Sequence, residues 1–550
     1  MQSLIPLAPR GQAQLKDNAR FTTPAFAAPA ISFMEGPMVY ISSKYMRLTC
    51  VTLLTLASLP VPTVTTFAAE DPGLQYEQSL QNRSQPLFGF GHPVEESANT
   101  PSSTAPGDQA VDVAKNLQVR VTSSTVGEDA DMIALWPDDA NPTHAIICNE
   151  IDGTASGSPA TVQRVRLSDG HVEDMVFGLD SCDPARRTAW GTVVVGEEAG
   201  PAGRLWEILD PLHVNGVTVD RDAGTSSDPD HVVTCTALGR LSFEGIVVRA
   251  DGTTYYGDEL RPSNGKPGGG IYKFVPDSLW AGGTVNDLDQ SPLVAGSVYV
   301  MRLGLRNGGT DYGQGTNTGE GKWIGPLSTA TDLATSALAA GGYTGYYRPE
   351  DMEMDPIAFT QGVLRLCWAN TGNDTFSQWG EVLCMQDEPT SEAGFNTGTM
   401  PVVAPFIIGN PHLRMPDNLA FQPHTGILYV LMDATTSAED PDFTNDDVWA
   451  CLPDGDDSDT LSDGCVRVMT LKDGNAEFTG IQFLADGTSF LIHLQHRTQE
   501  GRAVPSTTDE LLVSGLAIPG GEKSHSEAPA EAPGAGNGGK KVKEKTRGLQ

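Results

Sequence analysis

The chain has 550 residues and a mass of 58.3 kDa, enough for two to four ordinary domains or one large all-β domain. Against 35 Lys and Arg stand 70 Asp and Glu, a formal net charge of -35, and no basic block outside the last few residues could track a phosphate backbone, which argues against nucleic acid as a partner. With 39% hydrophobic residues, 60 Gly and 38 Pro, the composition is globular and turn-rich and excludes a helix bundle or coiled coil.

From Met46 the chain reads MRLTCVTLLTLASLPVPTVTTFAAED: a charged Arg47, an apolar run from Leu48 to Leu59, and small residues at Ala68 and Ala69. These are the parts of a secretory signal, with Met46 the expected true start and residues 1–69 an upstream extension plus signal. The apolar run is shorter than the ~18 residues a membrane span requires. The mature protein is therefore expected to lack a span and to be secreted or periplasmic. Residues 70–114 form a polar, Pro/Ser-rich lead-in that reads as loosely attached, 115–519 a single domain, and 520–550 a low-complexity, disordered tail. Without residues 1–69 and the tail from Gly521, 24 basic residues face 64 acidic ones, so the folded part is near -40.

Within 115–519, short strand-like runs recur. Ala145–Glu150, Thr192–Glu198, Val298–Leu305 and Val363–Trp368 are the weaker ones. Ile246–Glu259, Leu419–Asp433 and Ile481–His496 each read as strand, tight Asp-Gly or His-Thr-Gly turn, and β-branched or aromatic strand, ending on a polar or charged residue. Many short strands without alternating helices predict an all-β fold, a β-propeller of about five to seven blades, with a pair of large β-sandwiches as the alternative. A propeller's innermost strands line one channel, so acidic residues far apart in sequence can share a site.

Seven cysteines follow the signal, an odd number. Cys367 with Cys384 and Cys451 with Cys465 are reasonable local disulfides; among Cys148, Cys182 and Cys235 one is free if the other two pair. Five segments carry candidate chemistry: Ser181–Glu198, Leu238–Gly245, Tyr346–Pro356, Met415–Pro423 and Asn475–Phe483 with the following LQH. A thiolate with several carboxylates is a mixed soft and hard ligand set: carboxylates suit Ca²⁺, thiolate with carboxylate an iron. An Arg beside them suits a phosphate, and together they are equipment for phosphoryl transfer. Asp440–Asp447 and Pro453–Gly464 are acidic loops; the second lacks the Gly and closing Glu of an EF-hand and reads as a solvated loop, with structural Ca²⁺ the lesser alternative.

The ordered run Cys182, Thr188-Ala189-Trp190-Gly191-Thr192, Glu197-Glu198, GRLSFEG, YYGDE, IYKFVPD, RPED, PDNLAFQP, AEFTG and QH resembles the PhoX-type alkaline phosphatases over about Leu167–Gln499. The resemblance implies a secreted, six-bladed propeller whose channel holds Ca²⁺ and Fe³⁺ and hydrolyses phosphate monoesters, and a monomer is expected. It implies Cys182, Glu198, Glu244, Glu350, Asp417 and Glu477 as metal ligands, Arg348 as the catalytic phosphate-holding residue, and Asn418 and His496 at the substrate. Glu197 and Asp351 lie in matching motifs. Four features depart from the family: DPARRTA, with Arg186 and Arg187, replaces a Gly-rich stretch, Ala189 replaces the proline of its Thr-Pro-Trp-Gly-Thr, Gly196 replaces a thiol, and a single Arg47 replaces a twin-Arg signal. The extra arginines could reshape the phosphate pocket or mark another anionic substrate. The rival readings are a non-catalytic Ca²⁺-binding propeller and a lactonase-like hydrolase, which needs one channel Ca²⁺ and no Cys.

Overall fold

The computed structural model describes residues 72–100, 103–263, 265–304, 316–373, 377–387, 399–434, 445–455, 457–497 and 507–519. The signal at 46–69 and the tail at 520–550 lie outside them, as does most of the acidic run 440–447.

Six hairpins carry the architecture: β1 (Ala130–Trp136) with β2 (His144–Asn149), β3 (Cys182–Arg187) with β4 (Thr192–Glu197), β5 (Phe243–Val248) with β6 (Thr254–Asp258), β7 (Pro349–Met354) with β8 (Leu364–Asn370), β9 (Pro416–Phe421) with β10 (Leu428–Met432), and β11 (Glu477–Phe483) with β12 (Ser489–Gln495). Four belong to separate sheets of four to six strands. The other two open four-stranded meanders, Phe243–Leu303 and Pro349–Ile408, joined edge to edge through Gly319–Ile324 into one nine-stranded sheet. The first strands of the hairpins touch in cyclic order, and β11 returns to β1. The result is a propeller with six strands round its channel, as the repeated hairpins led us to expect.

The chain forms hairpins at these places because each run alternates or is wholly apolar up to a turn that only certain residues tolerate. In the Asp-Gly turns, Gly252 (φ 88°) and Gly487 (φ 67°) take left-handed backbone that β-branched residues avoid. The ring is locked by its own ends: Gln118–Val126 pairs with Thr508–Ser514 in the sheet of β11 and β12, and Val111–Val113 pairs with Cys465–Leu471.

The lead-in is docked rather than loose. It holds two helices, Pro72–Asn82 and Ser84–Phe88, and its Phe88 and Phe90 are fully buried with Val111, Leu431, Val468 and Leu511. The backbone of Val94 donates to Arg467 O at 3.0 Å. A polar average composition hid two aromatic anchors. Truncating Phe90 to Ala is expected to cost about 3–5 kcal/mol in denaturant unfolding; a loss below ~0.5 kcal/mol, the size of a surface substitution, would mean that the segment is barely held.

Candidate metal centre

In all six hairpins the first strand carries a β-bulge, two residues opposite one, which re-aims a side chain. The residue one past the start of the bulge is acidic in five of them, Asp131, Asp183, Glu244, Glu350 and Asp417, and is Gly480 in the sixth. The residue just past the end of the second strand supplies Glu150, Glu198, Glu259, Thr371 and Asp433. In the sixth hairpin the bulge sits further along the strand, and Glu477, paired with Gln495, and His496 stand at its open end.

These groups meet. Oxygens of Asp131, Glu150 and Asp183 all lie within 4.8 Å of one another, as do those of Asp417, Asp433 and Glu477. Asp183 and Glu244, and likewise Glu198 and Glu259, are neighbours whose carboxyls act directly on each other's ionisation. Burial first, then the neighbouring carboxylates, raise the group: Asp183 to about 6, Glu198 to about 11, and Asp131, Glu150, Glu244, Asp417 and Glu477 well above the carboxylate range. Glu350 rises to about 8 through burial, although Arg348 pulls the other way and the Thr371 hydroxyl donates to it. Either protons or cations must relieve this repulsion, and an all-carboxylate set within one ion's reach fits a hard cation such as Ca²⁺.

Two arginines face the acids. Arg348 takes a left-handed φ of 52° just before β7, the same turn that Asp129, Ser181 and Met415 make before their strands. Its Nε bonds Glu259 and lies 3.0 Å from Glu350, and Nη1 is 3.5 Å from Asp433. Arg186 reaches from β3 to Asp351 at 2.8 Å and Glu353 at 2.7 Å on β7, and to Ile246 O on β5 at 3.0 Å. Arg187 pairs with Asp139 and donates to Leu135 O. Both extra arginines are thus bonded to neighbouring strands and loops of the scaffold.

The other expected residues divide. Glu198 joins the channel, whereas Glu197 is fully buried, paired with Arg221 and capped by the backbone of Asp180 and Arg204. Asn418 is buried and donates to Asp131 Oδ1 at 3.1 Å while accepting from Gly480 N at 3.0 Å, so it ties three blades together. His496 is half-exposed, its Nδ1 3.0 Å from Asp129 and its Nε2 3.8 Å from Glu477; the Asp129 hydrogen bond raises its pKa. The Trp-Gly-Thr motif is structural: Trp190 is buried and, with Thr192, donates to Glu207 at 2.7 Å.

Cys182 corrects our expectation of a thiolate ligand. It is bonded to Cys148 and buried among Met132, Ala134, Ile146 and Ala185, while its neighbour Asp183 takes the channel face. A disulfide sulfur is no thiolate, so the residues present do not supply the sulfur half of an iron site. Cys367–Cys384 and Cys451–Cys465 are paired as expected, and among the described residues the free thiol is the buried Cys235. In the loop 453–464, Asp454, Asp457 and Asp459 cluster but are exposed, and Asp457 and Asp459 accept from the backbone of their own turns.

Sequence reasoning missed Asp131, Glu150, Asp183, Glu259 and Asp433. The signal was present: any residue, an acid, any residue, then an apolar residue, at the start of five of the six inner strands, and a polar residue closing each hairpin.

The alkaline phosphatase PhoX family model matches residues 216–497, just over half of the chain. Among solved structures, the chain is similar to Pseudomonas fluorescens PhoX in complex with vanadate, a transition state analogue, at 16% identity and a TM-score of 0.53, covering 78% of this chain and 98% of that one. It overlaps more loosely with a putative gluconolactonase (9% identity, TM-score 0.38, 76% of this chain and 97% of that one) and the soluble aldose sugar dehydrogenase of Escherichia coli (12%, 0.34, 72% and 99%). No curated protein matches the chain in sequence.

The raised carboxyls make a pH prediction. Without cations, Glu350 keeps a proton in the folded state up to about pH 8 that the unfolded chain loses near its ordinary 4.5. The folded state then binds more protons than the unfolded one across that window, so stability falls as pH rises through it. Calorimetry of chelator-treated protein should give a lower Tm at pH 8 than at pH 5, with Ca²⁺ narrowing the gap. A gap that Ca²⁺ leaves unchanged would argue against cations at these carboxyls.

Proposed function

We propose that this chain, which belongs to the alkaline phosphatase PhoX family, hydrolyses phosphate monoesters at Ca²⁺ or a similar hard cation held in its channel. The observation that carries the reading is Arg348 set among Glu259, Glu350 and Asp433, beside the carboxylate trio Asp417, Asp433 and Glu477. Asp131, Glu150 and Asp183 would hold one cation and Asp417, Asp433 and Glu477 another, with Glu198, Glu244 and Glu350 adjoining. Bound there, the cations would polarise the phosphoryl oxygens and activate a water for attack.

The chain's own residues do the rest. Arg348 presents a planar fork that grips two phosphate oxygens by parallel hydrogen bonds, and its carboxylate partners keep it protonated and aimed. Thr371 fixes the rotamer of Glu350 by donating to Oε1. His496, steadied by Asp129, adds positive charge beside Glu477. Three disulfides suit an oxidising compartment, and export is part of this proposal.

Phosphate release from p-nitrophenyl phosphate tests the reading. It should be lost with chelator, return with Ca²⁺, and vanish in Glu350→Gln. Arg348→Met should lower kcat/KM by ~10²–10³, the cost of removing a donor aimed at developing charge, with circular dichroism confirming that both variants fold. A Ca²⁺-loaded protein that releases no phosphate would instead favour the non-catalytic, Ca²⁺-binding propeller.

A further inference from the structure

Arg186 occupies a place in the cluster where a single positive charge bridges two carboxylates. Its Nη2 lies 2.8 Å from Asp351 Oδ1 and 2.7 Å from Glu353 Oε1, while a Ca²⁺ ion takes carboxylate oxygens at ~2.3–2.6 Å. The positive charge at that point is felt by Glu353, Asp351, Asp183 and Asp131, and the last two belong to the candidate metal trio with Glu150. Its Nε and Nη1 are spent on the carbonyls of Ile246 and Ala185, so the side chain is held in one pose. The other oxygen of Asp351 accepts from Leu419 N on β9 at 3.0 Å, which carries the brace to a further blade.

We propose that Arg186 is a built-in counter-ion that fills a cation position and thereby sets how many metal ions the channel takes. A guanidinium supplies one positive charge on a covalent tether, where an exchangeable divalent ion would supply two. With it, one fixed positive charge is shared between the buried Asp351 and the partly exposed Glu353; without it, both carboxylates lose the cation that lies within 2.8 Å of each. Arg186 is thus a positioning residue, acting through the carboxylates rather than on substrate. The inference rests on the cation reading given above.

The test is metal stoichiometry of the full chain, chelator-treated and re-equilibrated with CaCl₂, measured by elemental analysis and calorimetric titration for wild type, Arg186→Met and Arg186→Lys. Arg186→Met is expected to bind one more Ca²⁺ per chain than wild type, and Arg186→Lys, which restores the charge, to return to the wild-type number. Should Arg186→Met be too unstable without metal to titrate, its Tm is followed as Ca²⁺ is added: the rise should exceed the wild-type rise. A folded Arg186→Met with wild-type stoichiometry, or an equal rise in Tm, overturns the role of Arg186 alone. Wild type that binds no Ca²⁺ overturns the cation reading on which it rests.

Discussion

The structure depends on holding many carboxylates together in a channel that water reaches poorly. Folding brings Asp131, Asp183, Glu244, Glu350 and Asp417 from five blades to within interaction range of one another, and each would sooner be neutral. A protein that needed only stability would replace such a set with apolar side chains. The cluster therefore makes sense as a device that is incomplete until cations enter it. Where the charge is compensated permanently, by Arg348 among Glu259, Glu350 and Asp433 and by Arg186 with Asp351 and Glu353, the compensation comes from the residue type that stays charged at any working pH.

The propeller supplies the geometry by repetition. One extra residue in each inner strand turns the strand so that the bulged residue faces inward, and the same local shift in register, made six times around a ring, places an acid there in five of the six. The left-handed residues before four of those strands, Asp129, Ser181, Arg348 and Met415, belong to the same device. Arg348 thus reaches the acids because it occupies the place of an entry turn, where strain is held by the hairpin behind it.

Much of this was legible in the sequence, for reasons that are local. Asp-Gly and His-Thr-Gly turns between apolar runs fixed three hairpins, and the polar residue closing each one, Glu259, Asp433 or His496, already stood at the channel. What escaped was set by contacts between distant segments. Asp131 sits in ADMIALW, an apolar strand in which a lone acid looks like an edge residue, and only the bulge turns it inward. Asp183 was overlooked because the cysteine beside it drew the chemistry; on a strand, neighbours face opposite ways, and Cys182 went to the core where Cys148 waits 34 residues upstream. Phe88 and Phe90 were concealed by the polar residues around them, and their burial depends on a surface built by residues 111–516.

The large negative charge of the chain takes on a different meaning once the channel is considered. A folded part near -40 repels an anionic ester at long range, so association with a phosphate cannot be driven by the field of the whole protein. It must rest on a local reversal of that field. Cations on the carboxylate trios would create it, and Arg348 lies where the reversal has to reach solvent, partly accessible and bonded to acids that those cations would neutralise. Arg186, by contrast, is locked to Asp351 and Glu353 and to backbone carbonyls, with every one of its nitrogens already bonded within the protein. The two arginines have the same chemistry and differ in what they leave free, and that difference separates a residue able to meet a substrate from one that holds the site together.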